Sequence, residues 1–190
     1  MVDFYEEPRR PVRTILVVDD SRTNLNVIGK RLTHLGYLTA LVDNGVEALD
    51  LISARGFDLV LLDMVMPGMS GVQVLAEIRS RQETNDLPVI MVTGRSDPAA
   101  AVEALAAGAD DHVPKPFDFD VLHARIQRVL ARGKRIADLK RSNAALDARI
   151  AARAMELGET RAELADVRAD RQRLVASLQA LHDEVERLKA

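Results

Sequence analysis

The sequence predicts an α/β fold, a doubly wound sheet of five parallel strands, followed by a long C-terminal coiled-coil helix. Three observations predict it. Five short apolar runs alternate with helical patterns over the first two thirds of the chain, the pattern of a parallel sheet covered on both faces. From Ile136 onward the apolar residues recur as heptads, which argues for a coiled coil. The composition changes at the same place. Every Pro and every Phe lies before residue 120, and the remainder is mostly Ala, Leu, Arg, Glu and Asp.

The elements follow in order. "TILVVDD", from Thr14, is a β-branched run ending in two acids. "SRTNLNVIGKRLTHLG" reads as a helix, with Ser21 as N-cap, Leu25, Ile28, Leu32 and Leu35 at helical spacing, and Gly36 as the stop. "LTALV" is the second strand and "GVEALDLISARG" the second helix. "DLVLLD" is the third strand, closed by Asp63, and "SGVQVLAEIRSR" the third helix. "LPVIMVTG" and "DPAAAVEALAAG" form the fourth pair. "DDHVPKP" holds a short fifth strand, and a last helix starts near Asp118.

In such sheets, ligands bind outside the carboxyl ends of the strands. Asp19 and Asp20 end the first strand, Asp63 the third and Thr93 the fourth, and Lys115 follows the fifth. Each has an ordinary reading by itself: a solvated strand end, a helix cap, a turn residue, a surface lysine. Their shared placement at one edge points instead to a site. Crowded carboxylates repel unless a cation lies among them. Hard oxygen ligands suit Mg²⁺. A metal, a nucleophilic carboxylate and a fixed ammonium make a site for phosphoryl transfer.

Other phosphate chemistries find no support. "DDSRTN" stands where a GxGxxG would follow the first strand, and there is no GxxxxGK[ST]. A haloacid-dehalogenase-type phosphatase would want an Asp at position 65, which is Val65. The serines have no convincing triad partner among His34, His112, His123 and His182.

Over roughly residues 13–130 the chain resembles the receiver domain of the two-component response-regulator family, which has a flavodoxin-like fold. The resemblance rests on "ILVVDDSRTN", "LVLLDMVMPGMSG", "VIMVTG" and "GADDHVPKPF", in that order. It implies that Asp63 accepts a phosphoryl group from a phosphohistidine on a sensor histidine kinase or phosphotransfer protein. It implies that Asp20 and Asp63 bind Mg²⁺, with Asp19 acting mainly through water and the carbonyl of Val65 as the remaining protein ligand. Thr93 would hydrogen-bond the phosphoryl oxygens and Lys115 would pair with them. A cis bond would precede Pro116. Two positions depart from the family pattern. The switch position, usually Tyr or Phe, is His112, which adds a titratable ring. Gly94 stands where Ala is commoner.

The tail reads differently. With Ile136 at position a, twelve of the sixteen a and d residues through Leu188 are apolar, with no register break. Asn143, Arg153, Thr160 and Arg171 are the exceptions. Residues at g and at the following e pair with opposite sign, Glu156 with Arg161, Glu163 with Arg168 and Glu184 with Lys189, as a parallel dimer requires. Extending the register backwards gives a positions at Val129 and Leu122, so one continuous helix is permitted. The expected organisation is an N-terminal extension at 1–12, a receiver at 13–130 and a parallel dimeric coiled coil at 131–190.

Composition narrows the rest. The chain has no cysteine, which excludes disulfides, thiolate metal sites and a cysteine nucleophile. Its N-terminal residues do not read as a signal peptide, and no apolar run approaches a membrane span, so a cytoplasmic protein is expected. The basic run at 132–135 is read as a solvated face, with no nucleic-acid site. The expected function is a non-enzymatic response regulator that passes its signal through the coil to a partner. The alternative is the regulatory front end of a longer enzyme, such as a cyclic-di-GMP cyclase or phosphodiesterase or a hybrid kinase.

Overall fold

The computed structural model describes residues 12–94 and 98–189. Apart from Val12, the expected N-terminal extension lies outside the described residues. The elements run β1 (Thr14–Val18), α1 (Arg22–His34), β2 (Leu38–Val42), α2 (Gly45–Ala54) and β3 (Leu59–Asp63). Then come α3 (Gly71–Ser80), β4 (Val89–Thr93), α4 (Pro98–Ala106), β5 (Asp111–Pro114) and α5 (Phe119–Lys189). The strands form one parallel sheet in the order β2-β1-β3-β4-β5. This is the doubly wound arrangement that the alternating pattern predicts.

Side chains alternate across each strand, so the sheet supplies two cores. Leu16, Val18, Val60, Leu62, Val89 and Met91 face α2, α3 and α4, where Ile52, Val74, Leu75 and Ala104 meet them. Ile15, Val17, Leu59, Leu61, Ile90 and Val113 face α1 and α5, against Leu25, Ile28, Leu32, Leu122, Ile126 and Val129. The strands read as continuous apolar runs because both faces are covered.

Short polar side chains start the helices. Ser21 caps α1 by accepting from the Asn24 N–H, and Asn44 caps α2 through the Glu47 N–H. Ser70 and Gln73 form a reciprocal capping box on α3. Gly36 ends α1 with φ +88°, a left-handed conformation that favours glycine.

The chain divides into two compact units, residues 1–136 and 137–190. The second is helical through Lys189. Its a and d residues from Leu139 to Val185 that are apolar are 46–66% exposed, a long unpartnered stripe. The side chains of Leu188 and Lys189 lie outside the described ones. Among the described residues no helix is long and apolar enough to cross a membrane.

The continuous helix that the backward extension of the register permits is present: α5 runs unbroken from Phe119 to Lys189. Val129 and Leu122 are buried in the core of the first unit. They serve the sheet, and a seam with another helix cannot use them.

Candidate functional site

The parallel sheet brings the polar strand ends together. Asp19, Asp20 and Asp63 each offer a carboxylate oxygen within 4.8 Å of the others. Asp19 and Asp63 are 2% and 6% exposed, and Asp20 is open to solvent. Lys115 Nζ donates to Asp19 Oδ2 at 2.7 Å and to Asp63 Oδ2 at 2.8 Å. Four of the residues expected at the site therefore meet in one cluster.

Backbone contacts fix these positions. The Asp19 N–H donates to the Val42 carbonyl at 3.2 Å and the Met64 N–H to the Val92 carbonyl at 2.9 Å. The Lys115 N–H donates to the Thr93 carbonyl at 2.7 Å, which ties the lysine to the end of β4. Thr93 is buried at that end. The Lys115–Pro116 bond is cis, as the resemblance implies.

Among the described residues, the charges do not balance: one ammonium faces three carboxylates. Burial pushes the Asp63 carboxyl above its usual range, helped by the charge of Asp19, and outweighs the Lys115 hydrogen bond and charge and the Val65 N–H that favour the anion. Lys115 feels burial in the other direction, but its hydrogen bonds and charge contacts with Asp19 and Asp63 win and hold its pKa above the usual value. Asp63 moves up because burial exceeds what the lysine offsets, and Lys115 moves up because two carboxylates hold its proton. A divalent cation fits this deficit. The donors are hard oxygens, the cluster is small enough for one ion, and one member reaches solvent, where an ion keeps its waters.

His112 lies on β5, opposite Met91 in β4. Its backbone N–H donates to Asp111 Oδ1 at 2.9 Å. Its Nδ1 is buried with no hydrogen-bond partner among the described residues. Val65 is exposed beside the site.

Two parts of this region escaped sequence reasoning. Asn24, in the first turn of α1, donates Nδ2 to both oxygens of Asp19. Its signal was an amide in the helix that opens just after the first acid pair. Asp111, buried at the start of β5, accepts from Arg125 at 2.7 Å and Arg128 at 2.8 Å. The signal there was two arginines three apart on α5, which share a helix face. Beside the acids, Asn24, Val27, Ile28, Lys115, Pro116, Phe117 and Phe119 line a half-open cavity of about 440 Å³.

Comparison with known proteins bears on the fold and the family. The family described as response regulator receiver domain matches residues 15–127. The chain is 43% identical over 122 residues to the response regulator MprA of Mycobacterium sp. (strain KMS), covering 64% of this chain and 52% of that protein. The MprA of Mycobacterium bovis (strain BCG / Pasteur 1173P2) is 41% identical over 120 residues, covering 63% of this chain and 51% of that protein. The chain thus spans about half the length of the curated relatives it matches. Among solved structures, the signal receiver domain of a histidine kinase from Syntrophus aciditrophicus is similar at TM-score 0.60 and 35% identity, covering 63% of this chain and 91% of that one. Chemotaxis protein CheY4 of Vibrio cholerae is similar at TM-score 0.59 and 30% identity, covering 62% and 98%.

Proposed function

This chain belongs to the response regulator receiver family, and from that premise we propose that Asp63 accepts a phosphoryl group from a phosphohistidine on a sensor histidine kinase or phosphotransfer protein. The observation that carries the reading is the placement of Asp63. It ends β3 with Lys115 Nζ at 2.8 Å and with Asp19 and Asp20 in the same cluster. A carboxylate oxygen of Asp63 forms the new O–P bond as the N–P bond of the donor imidazole breaks, and the nitrogen leaves with the electron pair. Lys115 acts as a point charge for a phosphoryl oxygen, and Thr93, at the end of the neighbouring strand, donates its hydroxyl to another.

Asp20 and Asp63, with the carbonyl of Val65, are the direct protein ligands for Mg²⁺, and Asp19 acts mainly through water. When bound, the ion supplies positive charge that offsets the phosphoryl oxygens. His112 is the switch ring. Its Nδ1 is buried with no hydrogen-bond partner among the described residues, and a swing outward would hydrate it.

For the tail we infer a parallel two-stranded coiled coil at residues 131–190 that carries the signal to a protein partner. The exposed a and d stripe supports this, since an apolar face of that length in water calls for cover. Asn143 at an a position favours two strands in one register. The tail has no Phe, Tyr or Trp to stack on bases, which favours a protein over a nucleic acid as its target.

The test of the acceptor is direct. With Mg²⁺ and acetyl phosphate the wild-type chain should gain one phosphoryl group and Asp63→Asn none. Persistent labelling of Asp63→Asn would overturn the assignment. Thr93→Ala and Lys115→Ala should still be labelled but should lose the conformational response. A full wild-type response in either one removes it from the signalling path.

A further inference from the structure

Among the groups that sequence reasoning assigned to phosphoryl transfer, Asn24 hydrogen-bonds Asp19. Its Nδ2 lies 3.1 Å from Asp19 Oδ1 and 3.2 Å from Oδ2. The Ser21 N–H adds a contact to Oδ1 at 2.9 Å, and Lys115 Nζ one to Oδ2 at 2.7 Å. The single Asn24 amide spans both oxygens, so the buried Asp19 carboxylate is held by three donor groups of this chain and keeps room among its roughly four lone-pair positions for a water, whereas Asp20 stands open to solvent.

A capping role does not account for Asn24. Ser21 is the N-cap of α1, and Asn24 supplies only its backbone N–H to that cap. Asn is a poorer helix former than Ala, so α1 by itself gains nothing from this side chain. The chemistry of the amide fits the cluster instead. A neutral donor orients a carboxylate without cancelling its charge. Arginine or lysine at this place would compete with a cation, and aspartate would add a further like charge.

We propose that Asn24 is a positioning residue of the acid cluster. It holds Asp19 across both oxygens, reserves that carboxylate for Lys115 and for water-mediated contact with the cation, and leaves Asp20 and Asp63 to bind the ion directly. The proposal rests on the reading that this cluster binds Mg²⁺ and that Asp63 is the acceptor. Partners that orient metal-binding groups from behind matter to affinity even though they do not touch the metal.

The experiment uses the full chain and two variants, Asn24→Ala and the closer-shaped Asn24→Leu. Calorimetry measures Mg²⁺ affinity, labelling with acetyl phosphate is followed against Mg²⁺ concentration, and thermal unfolding is measured without Mg²⁺. Both the Mg²⁺ Kd and the Mg²⁺ concentration for half-maximal labelling should rise about tenfold. Losing the amide that spans a buried carboxylate lowers the metal-free Tm modestly as well, so the Mg²⁺ requirement of the still-folded variants is the deciding readout. A merely structural role would lower the metal-free Tm and leave the Mg²⁺ requirement in place. The proposal is overturned if either folded variant binds Mg²⁺ within about twofold of wild type. If the wild-type chain binds no Mg²⁺ and takes no phosphoryl group, the functional reading falls and this inference with it. If wild type does both and the variants match it, only the role of Asn24 falls.

Discussion

Replacing Gly71 by alanine should disturb Asp63 from behind. A β-carbon on Gly71 would lie 2.1 Å from the Asp63 carbonyl oxygen and 2.9 Å from its carbonyl carbon. Carbon and oxygen ordinarily approach to about 3.3 Å, so roughly 1.2 Å must open. The obstacle is backbone, which cannot step aside as a flexible side-chain tip does. The Met64 N–H holds the Val92 carbonyl at 2.9 Å, and the Gly71 N–H closes the turn onto the Met64 carbonyl at 3.0 Å. Opening the gap stretches one or both bonds. Overpacking costs about 1–3 kcal/mol and a lost hydrogen bond about 1 kcal/mol, so a destabilisation of about 3 kcal/mol is expected. The same shift carries Asp63 off Lys115 Nζ, now at 2.8 Å. Misplacement by about 1 Å can slow chemistry by about 10²-fold. Urea unfolding reads the first effect, and Mg²⁺-dependent labelling with acetyl phosphate reads the second. A Gly71→Ala chain within about 0.5 kcal/mol of wild type would refute the packing argument. A destabilised chain that is labelled at the wild-type rate would refute the link from Gly71 to Asp63.

Three further outcomes are expected. Burial raises the Asp63 pKa in the fold, so the favourable contribution of its neutral form is complete below the ordinary carboxylate range and is lost as pH rises through the raised value. Without Mg²⁺, Asp63→Asn should therefore melt above wild type at neutral pH, with the gap closing below about pH 4; a lower Tm at neutral pH would show that the Lys115 pair outweighs burial. Asp111→Ala removes a buried acceptor of two arginines and the His112 N–H and should cost about 2 kcal/mol in urea unfolding, whereas Arg128→Ala, whose side chain is 69% exposed, should cost under about 1 kcal/mol. The reverse ranking would count against Asp111 as the buried anchor of both arginines. The chain has no native cysteine, so Leu146→Cys and Leu181→Cys should each crosslink to its own copy in a parallel dimer, and disulfides that form only when the two variants are mixed would establish an antiparallel one.

The strands, the helices and the strand-end acids were legible in the sequence because each rests on local period. An apolar run that stops at an acid, such as Leu59 to Asp63, carries its own direction, and the parallel topology gathers such ends at one edge. Contacts that depend on the phase of a helix against a strand were not legible. Whether Asn24 meets Asp19 depends on how α1 rotates as it leaves β1. Whether Arg125 and Arg128 reach Asp111 depends on which face α5 gives to β5. Gly133 shows the same limit. In the sequence it is a weak point in a helix. In the fold, a β-carbon there would sit 3.0 Å from Pro88 Cγ, so the glycine allows the close approach of α5 to the residue before β4.

That the heptad register runs back into the first unit has a physical cause. Helix positions that pack on a sheet recur with a period near 3.6, and positions in a coiled-coil seam recur with a period of 3.5. The two drift apart by only about 20° per heptad, so over two turns they select the same residues. Leu122 and Val129 are seven apart and fit either pattern. Burial separates them: both are closed off in the core with Ile126, which stands at neither a nor d. Ile126 belongs to a sheet-facing stripe one position wider than a seam. The next a residue, Ile136, is 37% exposed, and every described side chain from Ala137 to Val185 is exposed. The stripe that serves the sheet therefore ends with Val129 and Leu130, and Ile136 is the first a position with surface left to give to a second helix.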